Sequence, residues 1–147
     1  MADKQISFVT DTATLCICDI GAVRHRLTDD DDWWADPAEE LKEVRAGNVL
    51  FVGLGGDGRY NIKVTNVPQG ISAKLRCPSG KLFVGAAEEV TSGGMEPECR
   101  RGGKIFELPI GQVLVHIARA DSPSQLNLTL SRYDGPEGND VHDLIRL

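Results

Sequence analysis

Thr14 to Ile20, Thr-Leu-Cys-Ile-Cys-Asp-Ile, is apolar at both odd and even positions, and this constrains the chain more than any other stretch. In an extended backbone successive side chains point to opposite faces, so such a run belongs at the centre of a sheet covered above and below. Gln112 to Ala120 reads the same way. Gln125 to Ser131 differs: Leu126, Leu128 and Leu130 alternate with Asn127, Thr129 and Ser131, the pattern of a half-buried strand. A chain with both kinds of strand calls for stacked sheets, some covered on two faces and some on one.

Turn residues punctuate the remaining strand-like runs. Ile6 to Thr10 is separated from Thr14 by a polar turn around Asp11. Asn48 to Leu54 and Tyr60 to Val67 flank Gly-Gly-Asp-Gly and read as a hairpin. Ser72 to Cys77 and Lys81 to Ala86 flank Cys77-Pro78-Ser79-Gly80, a type I turn sequence, and read as a second hairpin. Lys104 to Leu108 turns through Pro109-Ile110-Gly111 into Gln112, and Val141 to Leu147 is expected to add a last strand.

One helix start is clear. Asp36-Pro37-Ala38-Glu39 supplies an N-cap, a proline at the first helical position and a glutamate able to reach back to the cap. The helix is expected to run to about Arg45, with Gly47 as its left-handed stop. Ala38, Leu41 and Val44 form its apolar stripe, and Glu39, Glu40, Lys42 and Glu43 are expected to face water. The expected fold is mainly β: an antiparallel β-sandwich of about nine or ten strands with one short α-helix. The 147 residues fit a single domain spanning 1–147. From Glu88 to Gly103 the periodicity vanishes, and a loop of that length is usually mobile or functional.

The formal net charge of −6 argues against a nucleic-acid partner and favours a basic protein partner. The N-terminus lacks the basic start and apolar run of a signal peptide, and no apolar stretch is long enough to span a membrane, so the expected location is cytoplasmic. Cys16, Cys18, Cys77 and Cys99 contain no C-x-x-C pair and are expected to be free thiols.

Chemistry-bearing patterns are sparse. Gly53-x-Gly55-x-x-Gly58 matches a dinucleotide-binding fingerprint in letters, but strand sequence follows it where the fingerprint needs a helix. His25, His116 and His142 are isolated, no Gly-x-Ser-x-Gly occurs, and no catalytic residue or cofactor is expected; an enzyme, as an alternative, would need a site built from distant loops. Asp134, Glu137, Asn139 and Asp140 form an alternative reading, an oxygen-rich loop for calcium. The leading candidate is a protein contact surface. Asp29, Asp30, Asp31 and Asp32 run directly into Trp33 and Trp34, carboxylates that would steer a basic partner toward anchoring aromatics. At least one indole is expected to pack over the helix stripe instead. Glu96 and Glu98 in the long loop would extend the surface.

Gly103-Lys-Ile-Phe-Glu-Leu-Pro-Ile-Gly-Gln-Val-Leu-Val-His-Ile-Ala, in the C-terminal third, resembles a strand-turn-strand segment of small bacterial β-sandwich inhibitor and immunity proteins of the competence-nuclease-inhibitor kind. That resemblance implies a protein that binds and blocks another protein.

Overall fold

The computed structural model describes residues 5–26, 33–90 and 97–147. Its strands are β1 (Gln5–Thr10), β2 (Thr14–Asp19), β3 (Leu50–Gly53), β4 (Gly58–Val64), β5 (Ile71–Cys77), β6 (Lys81–Ala86), β7 (Lys104–Glu107), β8 (Gly111–Arg119), β9 (Gln125–Tyr133) and β10 (Ile145–Arg146). Among the described residues there is one α-helix, α1 (Pro37–Ala46). The strands form two five-stranded sheets, ordered β1-β4-β9-β8-β5 and β10-β3-β2-β6-β7. The β-sandwich expected from the strand pattern is therefore present. Pairing is antiparallel except for β4 with β9 and β10 with β3, which are parallel.

Both expected hairpins are corrected by this topology. β3 and β4 lie in different sheets, as do β5 and β6, so the glycine-rich and Pro-Ser-Gly turns carry the chain across the sandwich. The connections from β1 to β2 and from β7 to β8 cross in the same way. A local turn signal marks where a strand ends. Which sheet the next strand joins depends on which faces must be buried. The crossing after β5 is fixed by the wholly buried Asp19, whose carboxylate accepts from Gly21 N (2.7 Å), Ser79 Oγ (2.7 Å) and Gly80 N (2.9 Å). Gly80 has φ 77°, and a Cβ there would lie 2.6 Å from Leu108 O, so the corner accepts no side chain.

Two apolar layers result. Between the sheets lie Leu15 and Ile17 of β2, Leu50 and Val52 of β3 and Leu82 and Val84 of β6, facing Ile62, Leu75, Val115, Ile117 and Leu128. The alternate residues of the same strands, Cys16, Cys18, Phe51 and Phe83, form a second layer with Val23, Trp33, Trp34 and Val44. β2 is thus central and covered on both faces, as its sequence requires. β8 is also interior to its sheet, between β9 and β5, but is covered on one face only: Val113, Val115 and Ile117 point inward, while Leu114, His116 and Ala118 stay half-exposed on an open face.

The cap over the second sheet consists of 3-10 turns at Ile20–Arg26, Trp33–Ala35 and Ala87–Val90 together with α1. Asp36 caps α1 by accepting from Ala38 N (3.0 Å), and Gly47 ends it at φ 78° with its N–H bonded to helix carbonyls. The expected orientation of α1 is corrected. Ala38 is exposed and Leu41 half-buried, while Glu40 and Glu43 are buried with Val44. His25 and Arg26, distant in sequence, turn the Glu43 carboxylate inward.

Candidate functional site

Asp29, Asp30, Asp31, Asp32 and Glu96 fall outside the described residues. Trp33 and Trp34 lie at the edge of the acidic run, and both are only 6% exposed. Trp33 meets Phe51 edge-on at 5.5 Å between ring centres, and Trp34 stacks on it at 5.6 Å. The Arg26 guanidinium sits 4.9 Å above the Trp33 ring. In this conformation both indoles are packing residues, and neither presents a face to a partner. Their Nε1 atoms are buried with no hydrogen-bond acceptor among the described residues.

Glu98 is exposed and pairs with Arg100 at 3.2 Å. Its neighbourhood is better held than the lack of periodicity suggests. The buried Glu89 carboxylate accepts from the backbone N–H groups of Arg100 (3.0 Å), Arg101 (3.1 Å) and Glu98 (3.3 Å). Glu88 accepts from Thr10 Oγ1 (2.9 Å) and Asp11 N (2.8 Å). Val9 N donates to Arg101 O and Gly103 N to Ser7 O, both at 2.8 Å, so residues 101–103 line the free edge of β1. This protects an edge that would otherwise template pairing with another chain.

The most developed polar cluster is one that local sequence reading missed. Glu43, with its side chain 4% exposed, accepts from His25 Nε2 (3.0 Å), Arg26 Nε (2.9 Å) and Asn48 Nδ2 (2.7 Å). Arg26 also reaches Glu39 at 2.9 Å, and Arg76 Nε of β5 donates to Asn48 Oδ1. Burial raises the Glu43 pKa, but the donated hydrogen bonds outweigh it and hold the carboxyl below its ordinary value. His25, Arg26, Glu39, Lys42, Glu43, Ala46 and Asn48 line an open depression of about 460 Å³. Because N–H donors occupy both Glu43 oxygens, the cluster ties the cap to the body and has no free base at its centre. The available signal was the basic triplet Arg24-His25-Arg26 preceding the acidic run, of which His25 and Arg26 reach the helix.

Glu40, one turn earlier, has the opposite character. Burial raises its pKa to about 7, against a smaller lowering by Arg146. The thiols of Cys16, Cys77 and Cys99 are likewise raised, in each case chiefly by burial, and Cys77 reaches about 12. Burial thus disfavours the thiolate, the form that acts as a nucleophile.

The alternative calcium loop is not assembled. Asn139 uses its side chain to tether elements: Oδ1 accepts from Lys74 N (2.8 Å), and Nδ2 donates to Val44 O (2.8 Å) and Lys74 O (2.9 Å). Asp134 is exposed beside Arg132, and Asp140 beside His142. Among the described residues, no three His, Cys, Asp or Glu side chains gather where they would hold a metal ion. None of the helices among them is long and apolar enough to cross a membrane.

The β-sandwich architecture is shared with two solved structures. The chain is similar over 88% of its length to the protein of crocagin biosynthetic gene J, 97% of which is covered, with a TM-score of 0.54 and 13% identity. It is similar over 88% of its length to ComJ from Bacillus subtilis, an inhibitor of the DNA degrading activity of NucA, with 96% of that chain covered, a TM-score of 0.50 and 10% identity. The resemblance carried in sequence by Gly103 to Ala118 thus extends as a fold through most of the molecule. The chain belongs to DUF6386, a family of unknown function whose model matches residues 1–147. No curated protein matches it in sequence.

Proposed function

We propose that this chain is a non-enzymatic protein-binding domain of the inhibitor or immunity type, which neutralises a basic effector such as a nuclease. The observation that carries this reading is the fold shared over 88% of the chain with ComJ, an inhibitor of a DNA-degrading activity. The acidic balance of the chain, net −6, agrees with a basic target, because complementary charge speeds encounter and fixes orientation.

Asp29 to Asp32 are the proposed steering residues, with Glu96 and Glu98 as secondary contacts. The described residues that flank the run in sequence are held in place, Arg26 by Glu43 and Glu39 and Trp33 by Phe51.

The test begins with the immobilised chain and lysate of its host. A basic protein retained in equal stoichiometry is purified and its catalytic activity is titrated with the chain. Inhibition complete near one equivalent is expected, weakening with added salt and with Asp30→Lys. An activity that survives molar excess of the chain would overturn the reading.

A further inference from the structure

The five strands of the first sheet carry charge of one sign only. Every Lys, Arg, Asp or Glu on them is basic: Arg59, Lys63, Lys74, Arg76, Arg119 and Arg132. This occurs in a chain of net charge −6. Alternation assigns four of the six to the outward face. Tyr60 and Ile62 are buried, which turns Arg59 and Lys63 outward, and buried Ala73 and Leu75 do the same for Lys74 and Arg76.

Among the described residues, three of these cations have neutral partners. Arg59 donates to Ser7 Oγ (3.0 Å), Arg76 to Asn48 Oδ1, and the Lys74 ammonium lies 5.0 Å from the centre of the Tyr133 ring. For Arg59 and Lys74 the charge is oriented without being cancelled, whereas Arg76 is linked through Asn48 to Glu43. No helix among the described residues covers this face. The cap, with its inward Glu40, Glu43 and Glu89, packs on the outer face of the second sheet, and of these cations Arg76, on the edge strand β5, reaches it through Asn48.

We infer that the outer face of the first sheet is a second docking surface, whose occupant is the acidic surface of another protein. Charge complementarity selects that occupant. A nucleic acid fits less well, because single strands are gripped by stacking bases on exposed aromatics. The aromatic of this face, Tyr133, lies under Lys74. The exposed positions around the cations are instead small and polar, with Ser72 and Ser131 exposed and Asn61 and Asn127 half-exposed. This surface is separate from the acidic run proposed above, so the two bind partners of opposite charge.

The test uses the intact chain labelled with nitrogen-15 and a decaglutamate peptide as probe, at about 20 mM salt where screening is weak. Amide shifts should concentrate on β4, β5, β8 and β9. The double variant Arg59→Glu/Lys74→Glu should weaken binding about tenfold, and Asp30→Lys should not weaken it. Arg59→Gln/Lys74→Gln, which removes charge without reversing it, should fall between the two. Absent shifts, shifts centred on the cap, or unchanged affinity in the folded double variant would overturn the inference. Tighter binding of a single-stranded DNA dodecamer than of the peptide would also overturn it, assigning the face to nucleic acid.

Discussion

The two sheets of this sandwich share one core but treat their outer faces differently. The second sheet is roofed: Cys16, Cys18, Phe51 and Phe83 point outward from the sandwich into a layer closed by Trp33, Trp34, Val23 and Val44. The first sheet is open, and its outward positions hold basic and small polar residues around a half-exposed Leu114, His116 and Ala118. The roofed face concentrates buried apolar area but also takes in Glu40, Glu43 and two indole N–H groups without acceptors among the described residues. The open face keeps its charges in contact with water. Stability should therefore depend on the roof, and recognition on the surfaces that remain open.

The largest test of that contrast is truncation on each side. Trp34→Ala should cost about 3–5 kcal/mol, the usual loss for a buried aromatic. Leu114→Ala on the open face should cost under about 1.5 kcal/mol, because a half-exposed site leaves no closed cavity. Denaturant unfolding of both variants measures the difference, and equal losses would break the comparison.

A smaller effect isolates the charge held under the roof. The Glu40 carboxyl has an ordinary value of 4.5 and is raised on folding to about 7. The folded state therefore holds a proton that the unfolded state has lost between those values. Its contribution to stability is complete below about pH 4.5, falls as pH rises toward 7, and is lost above that. Glu40→Gln should remove this decline and stabilise the protein by about 2 kcal/mol at about pH 8. Glu43, whose carboxyl is held below the ordinary value, titrates in the opposite direction and loses its contribution as pH falls through its folded value. Unfolding at several pH values for wild type and Glu40→Gln checks this; parallel curves would place the Glu40 charge in solvent.

The smallest expected change lies on the open face. Lys74→Glu should alter unfolding free energy by less than about 0.5 kcal/mol, since its ammonium forms no buried ion pair. A large loss would mean that this face is structural, like the roof.

Much of the architecture was legible in the sequence. The double-sided run Thr14 to Ile20 located the central strand, and alternation in β9 identified a strand with one wet face. Asp36, Pro37 and Gly47 marked the helix ends, because caps and left-handed stops are set by a few adjacent residues. Turn chemistry also placed the corners. It did not reveal that the chain changes sheet at Gly55-Gly56 and Pro78-Ser79, since a turn sequence constrains its own backbone and not the pairing of the strand beyond it.

Side-chain roles that depend on distant partners were less legible. Glu40 and Glu43 read as a solvent face because helical periodicity sees only neighbours on the helix, whereas His25, Arg26 and Asn48 supply the donors that bury Glu43. Asn139 read as a possible cation ligand because composition shows oxygens but not that Lys74 and Val44 have already claimed its amide. The basic face is written in the strands one or two residues at a time, hidden within an acidic total. Sequence by itself determined the strands, the helix caps and a β-sandwich, because these follow from local backbone preference and period. Only the tertiary structure decided which sheet each strand joined, that both tryptophans became roof, and that scattered cations gathered on one face, because burial and charge are shared among residues far apart in the chain.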